Sequence, residues 1–384
     1  MINDPYDEFE QPFLDMLRVA GGVRTPAVEA AFRAVPRHLF VERYYTFGKR
    51  RRLVHVAPLR PTRHQLRSIY ADEALVSHLN PPSSTSQPSL VAGMLEALNV
   101  ERGNRVLEIG AGTGWNAGLL GHLVGPKGRV DTMDIQSRIA ALARSHLKLA
   151  KARNVTVHRA DATGGLPPQA PFDRIVTTVA VPEIFPAWRD QLKVGGILVA
   201  TLAAIPGDCY CLLTRLIRRK DHLAGHVFML PGFMLFTGHH GVEPLSKSER
   251  DRLLERMREG GSNRPAAPWS LWRKYLHQHR LVDIVFFATL GGMSCHTIRP
   301  NWWLLSGSGL EGSCLITLEG CEIFGPADAW DRLCDLYREW VNLGAPSRQR
   351  CKIEIWPAAA DKRAPRGGWL VRRPESQMLV RFDQ

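Results

Sequence analysis

Three glycines at alternate positions, in Glu108-Ile-Gly110-Ala-Gly112-Thr-Gly114, are followed along the chain by Asp134 and then Asp161. Glycines placed this way let a backbone turn sharply and approach a ligand closely. The spacing is G-x-G-x-G. A dinucleotide site uses G-x-G-x-x-G to seat a pyrophosphate on a helix N-terminus, so the motif here favours a smaller, phosphate-free ligand. Asp134 closes a strand-like run, where a carboxylate can accept from both hydroxyls of a ribose. Asp161, in Ala160-Asp161-Ala162, suits an adenine amino group, and Glu108 lies near the amino-acid end of a cofactor carrying a positive sulfonium. Taken singly, each carboxylate also has a plainer reading as a helix cap or turn former. In this order they describe a site for S-adenosylmethionine, with S-adenosylhomocysteine as product. Trp115, just past the last glycine, either shelters the cofactor or packs as core.

These residues need a scaffold of alternating strands and helices. Strand-like runs cover Arg105–Gly110, Arg129–Asp134, Asn154–His158, Phe172–Thr178 and Gly196–Thr201. Between the second and third, Ile139, Leu142, Ala143, Leu147 and Ala150 recur at helical spacing. Repeated strand–helix units give a parallel sheet covered on both faces, so the expected fold class is α/β, a class I Rossmann-like methyltransferase domain. A final pair, Cys209 to Ile217 and His226 to Leu230, is placed to close its edge.

The chain has 384 residues and a formal net charge of +13, enough length for two domains and a balance that suits an acidic partner. Residues 1–47 form a helical lead-in. Between Glu42 and Asp72 there is no acidic residue but there are eight basic ones: Arg43, Lys49, Arg50, Arg51, Arg52, Arg60, Arg63 and Arg67. This makes 48–69 a basic, exposed loop. The cofactor domain runs over 70–230, and 235–384 reads as an α+β C-terminal domain that binds a partner. Within it, residues 246 to 259 form a charged helix, Val282 to Leu290, Cys314 to Leu318, Lys352 to Trp356 and Met378 to Phe382 form strands, and Ala327 to Val341 a further helix. Eight of the ten tryptophans lie between Trp269 and Trp369, most of them as core. The seven cysteines include no C-x-x-C pair, so neither a disulfide framework nor a metal site is expected. The opening segment has no apolar signal core, and the run Ile284 to Leu290 is too short to span a bilayer, which together point to a cytoplasmic protein.

Several blocks carry a resemblance: Val35-Pro36-Arg37-His38-Leu39-Phe40-Val41, Tyr70-Ala71-Asp72-Glu73-Ala74-Leu75, Ser84-Thr85-Ser86-Gln87-Pro88, Val106 to Gly114, and Ala170-Pro-Phe-Asp-Arg-Ile-Val176. From about Val35 to Leu202 the chain resembles the protein-L-isoaspartate (D-aspartate) O-methyltransferases. The resemblance implies transfer of a methyl group from S-adenosylmethionine to an isoaspartyl or aspartyl carboxylate of a protein or peptide, whose ester then closes to a succinimide. It implies that Ser86 carries the hydroxyl beside the acceptor and that Ser84 stands at a position usually held by threonine. It also implies that Val179-Ala180-Val181-Pro182 lines the peptide cleft. On the residues alone, Ser84-Thr85-Ser86 reads as a helix cap before Pro88.

The chain departs from that pattern at Asn80-Pro81-Pro82-Ser83, in the basic stretch and in the C-terminal domain, which the minimal repair enzyme lacks. Those departures resemble a longer bacterial branch that tailors ribosomally made peptides at aspartate. Two other classes compete. A nucleic-acid methyltransferase would suit the charge, but no Pro-Cys dipeptide offers a nucleophile and Asn80-Pro81-Pro82 is followed by Ser83 rather than an aromatic. A peptide-binding protein without turnover would not need the full cofactor set. The sequence is silent on oligomeric state, and no membrane partner is expected.

Overall fold

The computed structural model describes residues 6–47, 50–205, 211–234, 236, 248, 251–252, 255, 259, 262–263, 278–299, 302–307, 309, 311–317, 321–364 and 366–382. Contacts divide the chain into two units. The first comprises Met1–Val179, Phe185–Ala200 and Arg215–Lys220, and the second Ala180–Ile184, Thr201–Thr214 and Asp221–Gln384.

The first unit opens with α1 (Asp7–Val19) and α2 (Pro26–Ala34). Thr25 starts α2 by accepting from the Val28 amide, and Pro26 supplies a preset φ at the first helical position. The basic stretch, expected as a loop, is built. β1 (Arg43–Thr46) pairs antiparallel with β2 (Arg52–His55), and α3 (Arg63–Ile69) follows behind a capping box in which Thr62 and Gln65 exchange side-chain and backbone bonds. The run of charge hid a Thr-x-x-Gln signal and a short aromatic alternation. β3 (Leu75–Leu79) and β4 (Pro82–Thr85) form a second two-stranded ribbon that leads into α4 (Pro88–Leu98).

Then come β5 (Arg105–Ile109), α5 (Trp115–Val124), β6 (Arg129–Asp134), α6 (Ser137–Leu149), β7 (Val155–Arg159), β8 (Phe172–Thr177), α7 (Pro186–Gln191) and β9 (Leu192–Ala203). Their spatial order is β9-β8-β5-β6-β7, and every pair is parallel. Burial of Val106, Leu107, Ile175, Val176, Leu198 and Val199 explains the near-continuous apolar runs, as expected when both faces of a sheet are covered. On α6 it is Ile139, Ala140, Ala143, His146 and Leu147 that face inward. Because the strands are parallel, the loops after β5, β6, β7 and β8 share one edge, where open α/β sheets hold ligands.

β10 (Cys211–Arg218), of which residues 211–214 belong to the second unit, and that unit's β11 (Leu223–Met229), β17 (Cys351–Pro357), β18 (Gly368–Arg372) and β19 (Ser376–Phe382) run in the order β18-β19-β17-β11-β10. A separate antiparallel sheet has the order β12-β16-β15-β14-β13, from β12 (Ser262–Asn263), β13 (Met293–Arg299), β14 (Trp302–Gly307), β15 (Ser313–Thr317) and β16 (Cys321–Phe324). The expected strand at Val282 to Leu290 is instead the end of a helix, α8 (Gln278–Leu290). A run that is apolar on all sides has no period to separate a buried strand from a buried helix. Residues 281–288 are all buried, Asp283 included, and its carboxylate meets Arg348 at 2.8 Å. The second helix, α9 (Asp328–Asn342), buries Trp330, Leu333, Leu336, Tyr337 and Trp340. Trp303 and Trp340 are fully buried, the core use expected of most tryptophans. Cys209, Trp269, Trp272 and most of 246–259 lie outside the described residues.

Candidate functional site

The glycine loop leaves β5 with Gly110, Gly112 and Gly114 at φ of 99°, 51° and 87°. These are left-handed conformations that a side chain resists. Space is also short: a Cβ on Gly110 would lie 2.5 Å from Thr178 Oγ1, and one on Gly114 would lie 3.3 Å from Ala143 O. The loop is held from several sides. The amides of Gly110 and Ala111 both donate to Met133 O at 2.9 Å. His146 Nδ1 meets Thr113 O at 2.9 Å, and the Thr85 and Thr113 hydroxyls are 3.2 Å apart. Burial holds the His146 imidazole below its usual range.

Asp134, at the end of β6, accepts from the Gly112 amide at 3.3 Å and the Gln136 amide at 3.0 Å. Burial raises its pKa and those amides oppose the rise. A carboxylate has about four acceptor positions, so two remain for hydroxyl donors, which fits a ribose. Asp161, after β7, accepts from the Thr163 amide at 2.9 Å and so caps a single helical turn, Ala162–Gly164. That turn is fixed from behind by Trp188, whose Nε1 donates to Ala162 O at 2.6 Å.

Glu108 differs from both. It is fully buried, Asn116 Nδ2 donates to it at 2.7 Å and Thr132 Oγ1 at 2.6 Å, and burial pushes it up to about 7. Its bonds tie β5 to α5 and β6, so it braces the strand end that presents the loop. Trp115 is core: it is 2 % exposed, donates to Val35 O at 3.3 Å and meets the Phe32 ring edge-on.

Ser84 and Ser86 stand at the junction of β4 and α4, both half-buried. Ser84 O would lie 3.4 Å from a Cβ on Gly112, which places this corner against the glycine loop. Neither hydroxyl caps α4. The cap comes from Asp72, which accepts from the Ser89 amide at 2.8 Å, Ser89 Oγ at 2.7 Å and Gln87 Nε2 at 3.0 Å. The Ser86 side chain is thereby left for another purpose.

The corner is clamped by Arg37. Its guanidinium is completely buried, and it donates to the carbonyls of Ile69 (2.5 Å), Ala71 (3.2 Å), Glu73 (2.8 Å), Thr85 (3.3 Å) and Ser86 (2.9 Å). Its other face lies 5.1 Å from the Trp115 ring, and burial lowers its pKa to about 9. Neither Arg37 nor Asp72 was assigned a role from sequence. Arg37 meets carbonyls 32 to 49 positions away, and Asp72 meets an amide and two side chains 15 to 17 positions away, separations for which no spacing rule exists.

After β8, Thr178 donates from its amide to Ile109 O at 2.9 Å and from its hydroxyl to Gly110 O at 2.5 Å, with Val179 half-buried beside Gly110. Ala180 and Val181 belong to the second unit and are buried there. Ala180 bonds to Met234 and Phe236, and Val181 bridges to Leu202.

Residues 60–220 match the family model for protein-L-isoaspartate(D-aspartate) O-methyltransferase. Over 215 residues the chain is 34% identical to a protein-L-isoaspartate O-methyltransferase of Ignicoccus hospitalis, an alignment covering 56% of this chain and 90% of that protein. A protein of the same name from Xanthobacter autotrophicus is 39% identical over 183 residues, which is 48% of this chain and 72% of that one. A solved structure described as a protein-L-isoaspartate O-methyltransferase superposes with a TM-score of 0.54 at 22% identity, over 91% of this chain and 97% of its own. That fold likeness takes in residues of the second unit. The alignments with the two named relatives cover 56% and 48% of this chain but 90% and 72% of theirs, in keeping with the C-terminal extension read from sequence.

Proposed function

The chain belongs to the protein-L-isoaspartate(D-aspartate) O-methyltransferase family and is an S-adenosylmethionine-dependent methyltransferase, and from that premise we propose that it esterifies the isoaspartyl or aspartyl side chain of a protein or peptide at the Ser86 corner. The observation that carries the reading is the juxtaposition of that corner with the glycine loop, together with a Ser86 hydroxyl relieved of capping by Asp72. When bound, the cofactor supplies a methyl group on a positively charged sulfur and leaves as S-adenosylhomocysteine. Gly110, Gly112 and Gly114 offer close backbone, Asp134 takes the ribose hydroxyls and Asp161 the adenine amino group. Glu108 holds the strand end beneath them.

The acceptor carboxylate has a pKa near 4 and is ionised at neutral pH, so no strong general base is required. What remains is alignment, which can supply roughly 7 to 11 kcal/mol when the reacting atoms are held in line. Ser86 orients the carboxylate oxygen by donating a hydrogen bond, Ser84 shapes the same corner, and Val179, half-buried beside Gly110, lines the acceptor's path. Once the side chain is esterified, the amide nitrogen that follows it in the substrate can displace methoxide and close a succinimide. In this reading residues 70–230 carry the transfer. The six described cysteines are buried free thiols, as suits the reducing cytoplasm, and no described helix is long and apolar enough to cross a membrane.

A second reading, dedicated tailoring of one ribosomally made peptide at aspartate, is favoured by the uncompensated basic ribbon. Incubation of matched isoaspartyl and aspartyl peptides with S-adenosylmethionine, followed by intact mass measurement, separates the two. A methyl gain on the isoaspartyl peptide is expected. A gain on the aspartyl peptide alone selects tailoring, and no gain on either sinks carboxyl transfer.

A further inference from the structure

The ribbon of β1 and β2 has two unlike faces. Tyr44, opposite Val54, is 2 % exposed and packs inward. The alternate residues must point outward: Tyr45 opposite Leu53, and Arg43 opposite His55. Beyond the strand ends this outward series continues with Phe47, 66 % exposed, and Arg51, which lies 5.8 Å over the Tyr45 ring. Leu53 is itself 38 % exposed. Apolar and cationic side chains thus alternate on one surface.

Among the described residues of the stretch, only Arg43 and Arg63 meet acids, Glu42 and Glu8. The guanidiniums of Arg50, Arg51, Arg52, Arg60 and Arg67 are exposed, and none has a carboxylate within reach among the described residues. Exposed arginines of one sign repel one another at a Debye length of about 8 Å, and apolar side chains beside them gain nothing from water. The fold obtains no stability from this arrangement. A partner that brings carboxylates and apolar side chains together would relieve both costs.

We propose that the outward face of this ribbon docks an acidic, apolar-bearing peptide segment of the methyl acceptor, holding it while its carboxyl group reacts elsewhere on the first unit. The proposal rests on the carboxyl-transfer reading for the identity of the partner. The face is ill suited to nucleic acid, because single strands bind on open aromatic platforms. One side of Tyr45 is already covered by Arg51 and Leu53 cannot stack, which leaves Phe47 as the one open ring on this face among the described residues, too little for a platform.

The test uses the full chain and two labelled isoaspartyl peptides of equal length, one flanked by alternating Glu and Leu, the other by Ser and Gly. Binding is followed by anisotropy without cofactor, and turnover by methyl gain. In the double variant Arg51→Ser, Leu53→Ser the acidic peptide should lose about tenfold in affinity and its KM should rise about tenfold, the size of one screened ion pair plus one exposed apolar contact, with kcat unchanged. The neutral peptide should stay within about twofold, and raised salt should erase the wild-type advantage of the acidic peptide. Equal responses of the two peptides, or none, overturn docking. So does displacement of the acidic peptide by oligothymidylate from wild type but not from the variant, which would assign the face to nucleic acid. Failure of wild type to methylate either peptide would count against carboxyl transfer alone, since anisotropy measures docking without turnover.

Discussion

The cofactor crevice and the β1–β2 ribbon are both rich in charge and use it in opposite ways. In the crevice Arg37 and Glu108 are fully buried, and their partners are carbonyl oxygens, an amide and a hydroxyl supplied by neighbouring elements. On the ribbon Arg51 and Arg52 are exposed and reach no acid among the described residues. Buried charge is expensive to leave unmatched, so evolution of a fold around it fixes backbone position. Exposed charge costs the fold little and stays free to meet something outside it. Substitutions in the crevice should therefore change cofactor affinity or stability, whereas those on the ribbon should change only partner affinity.

The largest expected effect sharpens the crevice side of that contrast. Asp134→Ala removes an acceptor placed for two hydroxyl donors, each bond to a charged group being worth about 1.5 to 3 kcal/mol, so affinity for S-adenosylmethionine should fall by about 100-fold or more. Titration calorimetry on the folded variant reads this directly. Unchanged affinity would take Asp134 out of the site.

Next is Glu108, whose folded pKa of about 7 stands above its ordinary value of 4.5 because burial disfavours the anion. A folded pKa that is raised gives stability that is complete below pH 4.5 and is lost as pH rises through 7. The loss should reach about 3 kcal/mol. Glu108→Gln, which cannot ionise, should match wild type near pH 4 and be the more stable protein by about that amount at pH 8, in urea unfolding at both pH values. A difference that does not depend on pH would show that hydrogen bonding rather than buried charge governs this position.

The smallest effect separates cap from acceptor contact at one corner. Asp72→Ala should cost about 1 to 2 kcal/mol of stability as α4 loses its cap. Ser86→Ala should leave stability within about 0.5 kcal/mol and lower kcat by about tenfold with cofactor affinity retained. If thermal unfolding shows the two variants equally destabilised, Ser86 is part of the scaffold and the corner is no acceptor site.

The parallel sheet was legible because its strands are apolar on both faces and its helices carry a clear period, as at Ile139, Ala143 and Leu147. The glycine loop and the carboxylates after β6 and β7 were legible because positive φ and strand-end position restrict residue type. What escaped reading was nonlocal or masked. The capping of α4 by Asp72 and the clamp by Arg37 join distant segments through main-chain atoms. The short ribbon β1–β2 lay beneath a run of arginines, and α8 lay within a run too uniformly apolar to show a period.

The Arg37 clamp has a consequence for which positions can vary. All five of its acceptors are main-chain carbonyls, at 69, 71, 73, 85 and 86. Every residue type carries that oxygen, so the clamp itself tolerates any side chain at those five places, and only burial at Ile69 and Thr85 and the Thr85–Thr113 contact limit the choice there. Arg37 has no such latitude. Lysine offers three donors on one atom where the guanidinium spreads five over a planar fork. A single codon thus carries the clamp's whole constraint, and acceptor preference can be retuned at Ser86 and its neighbours while the geometry that presents them stays put.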